Sequence, residues 1–122
     1  RAWKQFLSVP GVESLRAVEL CAQHPGKMWV VEGNLMRPFL DDGGINPPWH
    51  STAYQALPVV HAQNASLEIA WSKVVLEGGT IAGKSITPFI TEGYEGFDIN
   101  RAEDWVLAEA LVKEGLAALP PI

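Results

Sequence analysis

Two oxygen-bearing side chains, Asp98 and Asn100, stand where a strand pattern gives way to a helix pattern. The residues before them, Glu92 to Phe97, are rich in glycine and aromatic side chains, and a long apolar periodicity begins at Arg101. Hard cations such as Mg²⁺ prefer oxygen ligands and share them readily with phosphates. The sequence therefore leaves two interpretations of Asp98 open, a structural turn residue and a ligand of a divalent cation.

Asn100 also fits a structural role. Asn is favoured at helix N-caps, and Glu103 follows at the spacing of a capping box. We predict that Asn100 caps a helix that runs from about residue 101 to residue 118 and stops at Pro120-Pro121, with metal ligation as its alternative role. This helix carries one apolar face. The face consists of Trp105, Ala108, Leu111, Val112 and Leu116.

The composition is that of an acidic chain of 122 residues with a net charge of −5. A chain of this length builds one compact domain. Its acidity argues against a general electrostatic surface for nucleic acid, and no apolar run approaches the length of a membrane span. The single cysteine, Cys21, cannot form an internal disulfide, which favours the cytoplasm. Because a helical pattern begins directly at Arg1, we expect a piece of a longer protein.

Helix and strand patterns alternate along the chain. Besides the last helix, helices are predicted at residues 2–8 and 71–77. Strands are predicted at 14–20, 27–32, 35–40, 59–62, 66–70, 80–82 and 86–91. The strand at 14–20 has the pattern of one covered on both faces. A strand-rich middle between two α/β ends predicts an α/β core with an inserted arm, which we place at residues 33–58.

Residues 78–85, Gly-Gly-Thr-Ile-Ala-Gly-Lys-Ser, formally match the phosphate-binding loop pattern. That loop requires a strand before it and a helix after it, so that backbone amides face the phosphates. Here the preceding residues have a helical pattern, and the β-branched run around Pro88 predicts a strand. We interpret the segment as a glycine-rich connection. A P-loop hydrolase remains a rival that a helix directly after Lys84 would support.

Histidines and one lysine complete the set of candidate ligand-binding residues. His24, His50 and His61 lack the spacing of a zinc site and are predicted to be surface or loop residues. His61 lies in a strand pattern and could approach a ligand there. Lys27 has two interpretations, an ordinary solvated lysine at a strand end and an anchor for a substrate carboxylate or phosphate.

Three blocks of sequence match one known family in order and spacing. Residues 24–29 read His-Pro-Gly-Lys-Met-Trp, like the family's His-Pro-x-Lys-Met-Trp. Residues 55–69 read Gln-Ala-Leu-Pro-Val-Val-His-Ala-Gln-Asn-Ala-Ser-Leu-Glu-Ile, like Arg-Gln-x-Leu-Pro-x-x-Tyr-x-Gln-Asn-Gly. Residues 98–105 join Asp-Ile-Asn to Glu-Asp-Trp, like Asp-Ile-Asp/Asn-x-x-Glu-Asp-Trp. The chain thus resembles the acylneuraminate cytidylyltransferase family, which makes CMP-activated acid sugars.

The resemblance implies the C-terminal half of a Rossmann-like nucleotidyltransferase, a mixed sheet flanked by helices with an arm that mediates dimerisation. It implies a Mg²⁺-dependent transfer of CMP from CTP to an acid sugar, with release of pyrophosphate. By resemblance, Asp98 would hold Mg²⁺ with Asn100 beside it, and Lys27, Gln63 and Asn64 would lie near the sugar. We expect a homodimer. We expect the isolated chain to be inactive, because the half that holds the CTP phosphates is missing.

Two positions depart from the family pattern. Ala62 stands where the family often has an Arg that contacts the sugar carboxylate, and Asn100 stands where it often has a second Asp. These changes favour an acid sugar other than sialic acid as the substrate. The alternative from another class of protein is a non-catalytic dimerisation or ligand-binding domain of the same fold.

Overall fold

A computed structural model describes residues 1–119 as a small α/β protein. Over that range three helices accompany a three-stranded mixed sheet and a separate two-stranded antiparallel hairpin. None of the helices described is long and apolar enough to cross a membrane. The elements are α1 (Ala2–Ser8), β1 (Ser14–Leu20), β2 (Trp29–Glu32), β3 (Leu35–Pro38), β4 (His61–Ala70), α2 (Ser72–Gly78), β5 (Ile86–Ile90) and α3 (Ala102–Lys113).

The larger of two compact units combines Arg1–Glu19 with the described part of Gln63–Ile122. Its sheet has the strand order β4-β1-β5, so β1 lies in the middle. β1 and β5 are parallel, with Ser14 opposite Ile86 at one end of the pairing. Parallel neighbours need a long crossover between them. Here the smaller unit, β4 and α2 all lie between them in the sequence.

The core of the larger unit lies between this sheet and α1. Leu15 and Ala17 of β1 are completely buried, and Phe6 of α1, which is 1% exposed, packs in the same cluster. Phe89 of β5 joins them. Burial of one Leu or Phe side chain contributes about 1.5–3 kcal/mol, so these few side chains hold the helix to the sheet.

The opposite face of the sheet is only partly covered, which corrects the prediction that β1 is enclosed on both sides. Arg16 lies on that face and forms an ion pair with Glu68 of β4. On the same face Ile86 and Ile90 of β5 are 47% and 52% exposed. Along this face of β1 the cover decreases, because Ser14 is completely buried, Arg16 and Val18 are half-buried and Leu20 is 66% exposed.

The glycine-rich segment at residues 78–85 is a connection, as predicted, and it leads from α2 into the strand β5 and not into a helix. The Glu13 carboxylate accepts the backbone N–H groups of Lys84 and Ser85, the latter at 3.0 Å. These hydrogen bonds hold the pKa of Glu13 below its usual value. Gly83 permits the approach, because its φ is +67° and a Cβ there would lie 2.7 Å from the Cβ of Glu13.

The smaller unit, Leu20–Ala62, contains the hairpin of β2 and β3. Trp29 pairs with Pro38 at its open end. The predicted turn at Gly33-Asn34 joins the two strands, and Gly33 has a φ of +63° there. The hairpin thus follows from the turn chemistry of the sequence.

His24 lies in a loop, one of the two placements predicted for it, but it is buried in the smaller unit and does not lie at the surface. Its Nδ1 accepts the backbone N–H of Gly26 at 3.0 Å, and its Nε2 lies 2.9 Å from the carbonyl oxygen of Pro58. Trp49 and Tyr54 pack edge-on against its ring. Both ring nitrogens are engaged within the unit, so His24 is a structural residue.

Several predicted boundaries differ from the structure. Gln63-Asn64 lie inside the continuous strand β4 and do not separate two short strands. Residues 80–82 lie in the connection that Glu13 anchors and are not in a strand. α3 ends at Lys113 because Gly115, with a φ of +71°, closes it. The predicted stop at Pro120-Pro121 lies outside the described residues.

The apolar face of α3 is largely exposed. Within the described part of the chain, Leu111 is the buried residue of this helix. Trp105 is 57% exposed and Leu116, just beyond the helix, is 62% exposed. The periodicity correctly predicted a helix but not what covers it.

Glu13→Gln tests the anchor of the glycine-rich connection. Because its pKa is lowered by folding, the ionised carboxylate stabilises the fold above the ordinary value of 4.5, and this contribution is lost as the pH falls through the folded pKa. We expect the variant to melt below the native chain at about pH 7, with the gap closing as the pH falls below 4.5 and through the lowered pKa of Glu13.

Glu77→Gln is the control for Glu13→Gln, since it removes the same charge from an exposed position of α2. Thermal unfolding by circular dichroism measures both. A gap that stays constant over the whole pH range, or an equal loss in the control, would contradict the assignment.

Candidate functional site

A cleft of about 560 Å³ opens at one edge of the larger unit. It lies where β1 and β5 end and β4 begins, so three strands contribute to one edge. In α/β sheets, ligands bind outside the carboxyl ends of parallel strands, which is the edge that β1 and β5 form here. The polar and aromatic residues that line the cleft are Glu19, Gln63, Asn64, Tyr94, Phe97 and Asp98.

A chain of hydrogen bonds joins the three strands beneath this cleft. The side-chain amide of Asn64 donates to the Thr91 hydroxyl at 3.1 Å. That hydroxyl donates in turn to the carbonyl oxygen of Val18 at 3.2 Å. The side-chain oxygen of Asn64 accepts a hydrogen bond from the Ser66 hydroxyl at 2.7 Å. Both ends of the Asn64 side chain are therefore committed to the protein.

Gly96 packs directly on these polar groups. A Cβ at this position would lie 2.5 Å from the Asn64 amide nitrogen, 2.9 Å from a Glu19 oxygen and 3.0 Å from the Thr91 hydroxyl. A glycine is needed here for space. The turn that leads to Asp98 consequently lies against the ends of all three strands.

The same turn is tied to the start of α1. Arg1 donates to the Glu95 carboxylate at 2.6 Å and pairs with Glu92 at 3.1 Å. The hydrogen bond from Arg1 lowers the pKa of Glu95. The other Glu95 oxygen accepts the backbone N–H of Glu92 at 2.9 Å, which closes the turn. Two separate sets of contacts thus fix residues 92–96.

Asp98 follows this turn with its carboxylate exposed at the wall of the cleft. The Asn100 side chain donates to one of its oxygens at 3.0 Å. The structure corrects the predicted helix cap. Arg101 is the N-cap of α3, and the Asp104 carboxylate accepts the backbone N–H groups of Asn100 and Arg101 at 3.0 and 2.8 Å. The capping interaction therefore lies one residue later than the Asn100–Glu103 box.

The donor set of the cleft is compatible with a Mg²⁺ ion. Mg²⁺ takes one or two protein carboxylates and completes its shell with water and phosphate oxygens. Asp98 and Glu19 supply two carboxylates to one cleft. Within residues 1–119 no group of three or more His, Cys, Asp or Glu side chains forms a dedicated metal cage. Ligation by Asn100 remains a prediction, since its amide nitrogen faces Asp98 in this arrangement.

The remaining predicted site residues are distributed between the two units. Gln63 lines the cleft, and its amide nitrogen donates to Glu68 at 3.2 Å. Lys27 lies in the smaller unit, where its ammonium group donates to the carbonyl oxygen of His50 at 3.2 Å. The larger unit thus brings together Gln63, Asn64 and Asp98. Lys27 belongs to the smaller unit.

Glu19, Thr91 and Gly96 are site residues that the sequence analysis missed. Glu19 is the penultimate residue of β1, and Thr91 directly follows β5. Their shared position at strand ends was a usable signal once these two strands were taken as parallel neighbours. The need for glycine at Gly96 depends on groups distant in sequence and has no local signal.

No protein-family model and no curated protein matches this chain. The three sequence blocks therefore remain a resemblance.

Gly96→Ala is expected to displace the turn and to destabilise the larger unit. The added methyl group would meet side-chain atoms of Asn64, Glu19 and Thr91 at 2.5–3.0 Å, so either these side chains or the turn must move. We expect a loss of about 1–3 kcal/mol in the free energy of unfolding, the cost of overpacking. Chemical denaturation measures it.

Gly78→Ala is the matched control for Gly96→Ala. This glycine lies in α2, and a Cβ there meets nothing within 4 Å. We expect it to be neutral or slightly stabilising, because Ala is the better helix former. Equal unfolding free energies for the two variants would contradict the close approach at Gly96.

Proposed function

We propose that the chain is part of a Mg²⁺-dependent cytidylyltransferase that transfers CMP from CTP to an acid sugar. The proposal extends the fold to the C-terminal part of a Rossmann-like nucleotidyltransferase and places the enzyme in the cytoplasm. The observation that carries it is the cleft at the carboxyl edge of β1 and β5, where Gln63, Asn64 and Asp98 meet. All three belong to blocks that resemble the family.

The proposed reaction is attack of a sugar hydroxyl on the α-phosphorus of CTP. A bond forms between the sugar oxygen and the α-phosphorus, the bond to the bridging oxygen of pyrophosphate breaks, and the hydroxyl proton is released. Catalysis of such a transfer consists mainly of positioning and charge stabilisation. A bound Mg²⁺ supplies positive charge to the phosphate oxygens.

The residues of this chain take distinct roles in the proposal. The Asp98 carboxylate would hold the ion, and the Asn100 amide orients that carboxylate through its hydrogen bond. Gln63, which lines the cleft, would contact the sugar. Lys27 would neutralise the carboxylate of the acid sugar, a task suited to a flexible ammonium group. Because Ala62 offers no such charge, an acid sugar other than sialic acid is the favoured substrate class.

Turnover of the longer protein tests the proposal, with CTP and a panel of acid sugars as substrates. Asp98→Ala is expected to lower kcat/KM by about 100-fold or more, as removal of groups that organise transition-state charge does. Asp41→Ala, an exposed acid of the smaller unit, is the control and is expected to retain activity. The isolated 122-residue chain is expected to give no product.

Two outcomes of this assay would count against the proposal. Undiminished turnover in Asp98→Ala would remove Asp98 from the chemistry. Clear product from the isolated chain would show that no further half is needed. If every form of the protein is inactive with all substrates tested, a non-catalytic dimerisation or ligand-binding domain becomes the better interpretation.

A homodimer is part of the same proposal, and exposed apolar surface supports it. In the hairpin, Leu35 is 78% and Val31 69% exposed. Apolar side chains of this kind, on a short antiparallel ribbon, are typical of protein–protein interfaces.

Sedimentation of the chain over a range of concentrations tests the homodimer. We expect a concentration-dependent dimer that Leu35→Glu weakens at least about tenfold, since burial of a charge opposes association. Leu76→Glu is the control, because Leu76 is equally exposed, at 83%, but lies on α2. A monomer at all concentrations, or equal effects of both variants, would contradict a dimer formed through the hairpin.

A further inference from the structure

The hydroxyl of Thr91 is the central link of the hydrogen-bond chain beneath the cleft. It accepts a hydrogen bond from the side-chain amide of Asn64 and donates one to the carbonyl oxygen of Val18. The single O–H donor of the hydroxyl is therefore in use. The backbone N–H of Thr91 also donates to Val18, at 2.9 Å, so the residue is held by the sheet itself. Thr91 is therefore fixed in position before any ligand is considered.

The turn above Thr91 has no room to move towards the sheet. Gly96 is buried. The Asn64 amide, a Glu19 oxygen and the Thr91 hydroxyl lie within 3.0 Å of where a Cβ at this position would be. The backbone N–H of Phe97 donates to the carbonyl oxygen of Tyr94 at 3.0 Å, which closes the turn immediately before Asp98. Contact with the Thr91 hydroxyl therefore sets where the backbone leading to Asp98 leaves the sheet.

We propose that Thr91 is a positioning residue of the cleft, and that Asn64 acts with it and is not a direct contact of the sugar. The amide nitrogen of Asn64 donates to Thr91, and its side-chain oxygen accepts from Ser66. A ligand that bound either group would have to break these hydrogen bonds. This inference rests on the proposed function, because it takes the Asp98 carboxylate as the group to be positioned.

Thr91→Val removes the hydroxyl while it keeps the shape of the side chain, and Thr91→Ser keeps the hydroxyl. The first readout needs no ligand: amide hydrogen exchange of Gly96 and Phe97, measured by NMR in the 122-residue chain. Loss of one hydrogen bond is expected to raise local exchange about 5- to 10-fold in Thr91→Val. Exchange of Ala17 in the core is expected to stay unchanged, and Thr91→Ser to restore the native rates.

The second readout uses Mn²⁺ alone as a probe for a divalent cation. Line broadening near Asp98 is expected on titration of the native chain and of Thr91→Ser, with about 5- to 10-fold weaker binding in Thr91→Val. Thr80→Val is the control, since it removes a hydroxyl that accepts from Gly83 in the glycine-rich connection. It is expected to bind Mn²⁺ like the native chain.

The outcomes separate the two proposals. Native exchange in Thr91→Val, or failure of Thr91→Ser to restore it, would overturn the positioning role. Absence of Mn²⁺ broadening in the native chain would count against the metal site of the proposed function, while the exchange arm would still decide on Thr91. Should Thr91→Val not fold, Asn64→Ala removes the other partner of the same link, and unchanged exchange at Gly96 in that variant would overturn the proposal.

Discussion

The pairing of β1 with two neighbours is the constraint on which the larger unit depends. Leu15 and Ala17 are the completely buried members of its core, and Phe6 and Phe89 reach them from α1 and β5. Because β1 is parallel to β5, both strands end at the same edge. Hydrophobic burial around Leu15 and Ala17 therefore fixes where β1 and β5 end, and with it the position of the cleft. The polar residues at this edge are held in place by the same two strands.

The polar edge is built by the same rule that builds the core, which is close packing without unpaired groups. Among the residues described, every buried polar side-chain atom has a hydrogen-bond partner. Because Gly96 has no side chain, the turn can pack closely against the strand ends. The hydroxyl of Thr91 is one of the polar groups against which the turn packs. Rigidity at this edge is a property that a site for positioned charge requires.

The sequence predicted the elements that local pattern controls and missed those that distant groups decide. Helix α1, strand β1 and the Gly33-Asn34 turn follow from periodicity and turn chemistry. β4 was divided in two because Gln63-Asn64 has the look of a turn, whereas Asn64 is held in the strand by Thr91, which lies 27 positions away. The strand expected at residues 80–82 is absent from the described structure because Glu13, about 70 positions away, takes the amides that follow.

The electrostatics of the cleft explain why a cation belongs in the proposal. Glu19 and Asp98 are the charged side chains among its described lining residues, and both are negative. A triphosphate brought to such an edge would meet like charge, which costs free energy at short range. A divalent ion bound by Asp98 would neutralise these two carboxylates, and further positive groups would have to come from other parts of the proposed enzyme. An edge of this composition is suited to hold the metal and the acceptor, but not the triphosphate by itself.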